Sequence, residues 1–252
     1  MKICWFTTGR DKEAFTLLKN VYGAMNNKEI DGYISVLFLN REKGESDSSD
    51  EIISFAEEKG TSVECISSKR FFEDKGLKIE DGRIYFDTEV KKKIENYDFD
   101  IIFLAGYMLI LSRVLFEPYP VLNLHPSLPN AYKGKWEDVI RKTIDDGVKI
   151  FGAMIHMVDA ALDEGTPVTY VKLAFEGGQF DELYNNAYRG DSTSKAALFR
   201  IMRQVEFSIE TPLIIKTLSM LSRGVIEIRD KSVRYGGKIV TDGIDITQEV
   251  CG

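Results

Sequence analysis

Asp100-Ile101-Ile102-Phe103-Leu104-Ala105 is one acidic residue followed by an unbroken apolar run. A run without polar alternation is the mark of a strand covered on both faces, as in a parallel sheet with helices above and below. Upstream the same logic repeats. Lys2–Thr7 is a short apolar run, and Ala14, Leu17, Leu18 and Val21 follow at i, i+3, i+4, i+7 spacing, one buried helical stripe. Tyr33–Leu39 is a second strand candidate. Ser48-Ser49-Asp50-Glu51 then has the form of a capping box before Ile52, Ile53 and Phe55, with Gly60 where a helix C-cap belongs. Ser62–Cys65 is a third strand, and another starts at Val121. Strands alternating with helices in this way predict an α/β fold with a doubly wound, mostly parallel, Rossmann-like sheet.

Other segments depart from the repeat. Residues 78–86 alternate around Asp81-Gly82, a strong short hairpin signal, so a surface β-hairpin peripheral to the chemistry is expected before a helix over residues 88–97. Two strands, over residues 149–157 and 167–173, are joined by an Asp163-Glu164-Gly165 loop. A polar stretch with Gly and Asn at residues 176–193 reads as an insertion. A helical region follows to Ser222, interrupted near Pro212 and closed by Gly224. A hairpin turning at Gly236-Gly237 ends the chain. The expected organisation is a main domain over residues 1–224 and a C-terminal β-hairpin extension over residues 225–252 packed on it.

Composition narrows the function classes. With 252 residues, 44% of them hydrophobic, the chain can bury a sizeable core unaided. Its net charge of -7, without a basic block, argues against nucleic acid as a partner and fits small-molecule substrates. Cys4, Cys65 and Cys251 are odd in number and far apart, and no leader precedes the first strand, so a reduced, cytoplasmic setting is expected. No apolar run approaches the ~20 residues of a membrane span.

The candidate chemistry lies in Asn123-Leu124-His125-Pro126-Ser127-Leu128, with Gly134, His156 and Asp163-Glu164-Gly165. Asn123 and His125 are two apart at a strand end, so both face one side at the carboxyl edge of the sheet, where open α/β sheets bind ligands. Pro126 ends the strand and fixes the imidazole. An amide and a protonated imidazole aimed at one point are donors for a developing oxyanion, and Asp163 would supply the counter-charge and accept a proton through a water. Each residue also has a plain structural role open to it: Asn123 as a cap, a lone histidine as a satisfied core group, Asp163 as a turn, with Asp159 an acidic neighbour. The chain holds only two histidines, and both fall in this region. His156 is as readily structural as site-lining. Neither a metal site, lacking any His pair at i, i+4 spacing, nor a serine nucleophile at Ser127, lacking a G-x-S-x-G elbow, is expected.

This motif, together with Leu104-Ala105-Gly106-Tyr107-Met108-Leu109-Ile110-Leu111-Ser112, resembles the folate-dependent formyltransferases, and most nearly their phosphoribosylglycinamide (GAR) branch. The resemblance implies the formyltransferase fold, 10-formyltetrahydrofolate as cosubstrate, no metal, and a small-molecule amine acceptor of purine biosynthesis, with a homodimer possible. It implies Asn123, His125 and Asp163 as the catalytic set. Leu104, Met108, Leu109, Ile110, Leu111, Val158 and Asp159 would surround the folate, and Thr8, Gly9, Arg10, Pro126 and Glu210 the acceptor. One departure concerns Thr7-Thr8-Gly9-Arg10-Asp11-Lys12-Glu13, where that branch has a turn rich in Gly, Ser and Asn to cradle a phosphate. Here Asp11 and Glu13 bring negative charge, although both residues would equally suit a helix N-terminus. Other acceptors, such as a nucleotide-linked amino sugar, a formyltetrahydrofolate hydrolase, and a non-catalytic folate binder are the alternatives.

Overall fold

The computed structural model describes residues 1–252, the side chain of Gln179 apart. Its elements are β1 (Lys2–Thr7), α1 (Lys12–Asn26), β2 (Tyr33–Leu39), α2 (Asp47–Glu58), β3 (Ser62–Cys65), α3 (Ser68–Lys75), α4 (Ile79–Ile94) and β4 (Ile101–Leu104). After these come α5 (Arg113–Phe116), β5 (Val121–His125), α6 (Trp136–Asp145), β6 (Ile150–Met157), β7 (Pro167–Ala174), α7 (Gly178–Tyr188) and α8 (Ser192–Ser222). The chain closes with β8 (Ile226–Arg229), β9 (Ser232–Tyr235), β10 (Lys238–Val240), β11 (Ile244–Asp245) and α9 (Thr247–Cys251).

Eight strands form one sheet in the order β11-β7-β6-β5-β4-β1-β2-β3. It is parallel from β3 through β5, while β6 runs antiparallel to both β5 and β7. The apolar runs explain why both faces are covered. Ile3 and Trp5 of β1 with Ile101 and Phe103 of β4 join one core layer, while Cys4 and Phe6 with Ile102 and Leu104 join the other. Trp5 stacks on Phe103 with ring centroids 5.1 Å apart. The stripe Ala14, Leu17, Leu18 and Val21 of α1 is buried in the first layer. No helix among the described residues is long and apolar enough to cross a membrane.

Chain direction around the sheet reverses at β1, which is flanked by β2 on one side and β4 on the other. This topological switch opens a crevice at the carboxyl ends of β1 and β4. Thr8 follows β1 and Gly106 follows β4, and the Thr8 N–H donates to the Gly106 carbonyl at 3.1 Å, closing the floor of that crevice.

Four expectations are corrected. Residues 78–86 form no hairpin; they belong to α4, whose acidic first turn (Glu80, Asp81) and basic last turn (Lys91, Lys92, Lys93) suit the helix dipole. Gly82 is there because the helix lies close on its neighbour: a Cβ would come within 2.7 Å of the Phe72 ring. Helix α2 starts two residues earlier than the expected capping box implies, with Ser46 rather than Ser48 as N-cap, and the Asp50 carboxylate instead accepts the Gly44 N–H at 2.9 Å. The polar residues 176–193 are mostly helix α7 and the start of α8. Helix α8 then runs unbroken through Pro212, because Ile209, Leu213, Ile214 and Leu218 are buried in the first core layer; that burial outweighs the ~3 kcal/mol cost of an internal proline.

The expected turn at Gly236-Gly237 joins β9 to β10 with both residues at positive φ, but β8 makes the extension a three-stranded sheet. Ile226 and Val233 of this sheet and Ile246 beyond it share the first core layer, and β11 adds to the edge of the main sheet beside β7.

Candidate active site

A cavity of about 750 Å³ opens at the switch point. Asn123 and His125 reach it from the end of β5, His156 from β6, and Asp163 from the β6–β7 loop. Three properties of the chain bring Asp163 in. Gly165 lets the loop lie on the end of β6, since a Cβ would sit 1.7 Å from the Met157 carbonyl oxygen. Asp163 itself adopts φ 55, a conformation that aspartate tolerates better than most residues. The Gly134 N–H then donates to Asp163 Oδ2 at 2.9 Å, so the carboxylate is held by the loop that follows β5.

The geometry assigns proton positions on both imidazoles. His125 Nε2–H donates to the Tyr132 carbonyl at 2.8 Å, which leaves Nδ1 facing Asp163 Oδ2 at 3.8 Å. That distance exceeds a direct hydrogen bond and lies within reach of a bridging water. His156 Nδ1–H donates to the Met157 carbonyl at 2.9 Å, so its Nε2 accepts from Asn123 Nδ2 at 3.1 Å. Burial, reinforced by the neighbouring His125, lowers the His156 pKa to about 4. A neutral His156 therefore fixes which end of the Asn123 amide is nitrogen, and leaves its second N–H free. Sequence reading left His156 between a structural and a site-lining role; it lines the cavity and orients Asn123, with only 2% of its surface exposed.

One wall of the cavity is apolar. Leu104, Met108, Leu109, Ile110, Leu111 and Val158 line it, and Asp159 also lines the cavity. Met108 and Ile110 are each 41% exposed, presenting apolar surface to the cavity without protein cover. Arg83 and Ile84 of α4 join this wall, so that segment is not peripheral to the site. They were missed because the local Asp-Gly pattern outweighed the Glu80, Asp81 and Lys91–Lys93 charge asymmetry, which does signal a helix.

The other wall is charged. Arg10, Pro126 and Glu210 line the cavity, whereas Thr8 and Gly9 do not. Thr8 is buried, and its Oγ1 accepts the Met108 N–H at 2.9 Å. Gly9 packs against Ser49. Asp11 is the N-cap of α1, its carboxylate accepting the Ala14 N–H at 3.1 Å, and it also pairs with Arg10. Arg203, unremarked in the sequence, is the hub: it pairs with Glu13, with Glu206 and Glu210 at 2.8 Å each, and stacks over the Trp136 ring at 4.4 Å. Burial alone would lower the Arg203 pKa, but the three carboxylates raise it above the ordinary value. The Arg203-Glu206-Glu210 spacing, one helical face, was the available signal.

An amide, an imidazole and a partly buried carboxylate thus meet beside a half-apolar cavity at the switch point of a parallel sheet. The formyl transferase family model matches residues 12–190. The chain is 35% identical to the phosphoribosylglycinamide formyltransferase of Schizosaccharomyces pombe over 94 residues, covering 34% of this chain and 45% of that one. It is 39% identical to the formyltetrahydrofolate deformylase of Bacillus subtilis over 84 residues, 31% of this chain and 27% of that one. The alignments thus span about half or less of these curated relatives. The structure of a phosphoribosylglycinamide formyltransferase from Coxiella burnetii superposes with a TM-score of 0.71 at 20% identity, covering 97% of this chain and 98% of that one, which establishes the shared fold. The chain belongs to the formyl transferase family.

Proposed function

We propose that the protein transfers a formyl group from 10-formyltetrahydrofolate to a primary amine, in the cytoplasm and without a metal. The observation that carries this reading is the convergence of Asn123, His125 and Asp163 on one cavity whose adjoining wall is apolar and fits a folded aromatic donor. The acceptor nitrogen attacks the formyl carbon. Its carbonyl oxygen becomes an oxyanion held by the free Asn123 N–H and by protonated His125 Nδ1, and the bond from carbon to the folate nitrogen then breaks. Asp163, through a water, relays the proton lost by the attacking amine to that departing nitrogen. The names of the relatives make phosphoribosylglycinamide of purine biosynthesis the leading acceptor.

A second reading, a different amine such as a nucleotide-linked amino sugar, has one observation in its favour: the N-terminus of α1 is capped by the Asp11 carboxylate, in the turn where a phosphate cradle would lie. Following folate absorbance with purified protein distinguishes the cases. Turnover that requires phosphoribosylglycinamide supports the first reading, turnover only with amino sugars supports the second, and loss of the formyl group without any amine indicates hydrolysis. Absence of all three sinks the proposal.

A further inference from the structure

The apolar wall is carried by one irregular segment, residues 106–112, which has no strand or helix of its own to hold it. It is pinned at two points by side chains from elsewhere. Near its start, Thr8 binds both the Gly106 carbonyl, through its N–H, and the Met108 N–H, through its Oγ1. At its end, the Ser112 N–H donates to the Asp87 carboxylate of α4. Between these pins lie Met108, Leu109, Ile110 and Leu111, all lining the cavity, so the placement of the wall depends on two acceptors that do not themselves line it.

Asp87 is 2% exposed, on a helix whose other buried side chains are Phe86, Val90 and Ile94. Burial raises its pKa to about 6, opposed by the backbone N–H and hydroxyl of Ser112 and by the Arg83 guanidinium one turn back on α4. From the pinned segment it is faced by Tyr107, whose buried hydroxyl has no hydrogen-bond partner, and the residue after Ser112 is Arg113, which lines the cavity. A buried carboxylate held mainly by one residue of an irregular segment is an expensive arrangement unless the position it fixes matters.

We infer that Asp87 is a positioning residue for the formyl donor: its carboxylate holds the far end of the donor-binding segment, so that donor affinity depends on its ionisation while the chemical step does not. This rests on the folate-dependent reading above. Protonation would weaken the bond to Ser112 and release the wall, and affinity for the donor would fall as pH drops through about 6.

The test compares wild type with Asp87→Asn, which keeps the shape and loses the charge, and with Thr8→Val, which removes the other pin. Steady-state kinetics with 10-formyltetrahydrofolate from pH 5 to pH 8 should show Asp87→Asn raising the donor KM by about tenfold at pH 7.5 with kcat within about twofold, the range expected for lost uniform binding. Wild-type KM should rise on the acid side, and that rise should vanish in the variant. Amide hydrogen exchange in the free protein should accelerate at residues 108–112 in both variants. An unchanged KM in Asp87→Asn, a parallel loss of kcat and KM, or a wild-type KM flat between pH 7 and pH 5 would overturn the inference. A wild type that binds no donor would defeat the folate reading, and the exchange experiment would then decide alone: unaltered exchange in Asp87→Asn discards the positioning role.

Discussion

The two walls of the cavity are built by opposite means. The apolar wall is irregular backbone pinned by hydrogen bonds from Thr8 and Asp87, which leaves Met108 and Ile110 free to face the cavity. The charged wall joins the first turn of α1 to the middle of α8 and is held by ion pairs that converge on Arg203, so its side chains hold one another. A truncation should therefore cost stability on the charged wall and ligand affinity on the apolar one.

The largest effect expected is at the hub. Arg203→Met leaves Glu206, which is fully buried, and Glu210 without their cation and should destabilise the fold by about 3–5 kcal/mol, measured by urea unfolding. A loss under 1 kcal/mol would mean that the charged wall is not held by this network. Next is His125→Ala, between the walls, which should lower kcat by roughly 10²–10³, as removal of one oxyanion donor does, with little change in unfolding midpoint. Full activity in that variant would break the proposed chemistry.

A third prediction concerns pH. The folded His156 pKa is about 4, below the ordinary 6.5. Between those values the unfolded chain takes up a proton that the folded protein refuses, so stability falls as pH drops from 6.5 to 4, by at most about 3 kcal/mol. His156→Gln should flatten that part of the stability profile; an identical slope in wild type and variant would show that His156 is not the group responsible. The smallest effect is on the apolar wall. Met108→Ala should leave stability within about 0.5 kcal/mol, as expected for a partly exposed side chain, and raise the donor KM several-fold. A large loss of stability instead would erase the contrast between the walls.

Parts of this were readable before any coordinates. The β1, β2 and β4 strands fall where their apolar runs lie, because a continuous run has few alternatives once it must be covered on both faces. Asn123 and His125, singled out by their spacing, and Asp163, singled out by its loop, line one cavity. The misreading of residues 78–86 has the opposite cause: Asp81-Gly82 is a local signal, and the contact with Phe72 that makes it helical lies outside any local window. The break expected at Pro212 fails for the same reason, since the buried face that carries α8 past it is supplied by the sheet.

What the sequence determined is therefore the covered sheet, its carboxyl edge, and the residue types that meet there, all properties of runs and short spacings. The tertiary structure alone decided the tautomers of His125 and His156, the pairing of Asp163 with the Gly134 N–H, and the sharing of one guanidinium among three carboxylates. Those depend on which backbone carbonyl, amide or charge lies within about 3 Å in space, and hydrogen bonds and buried charges are too steep in distance and angle to be inferred from order along the chain.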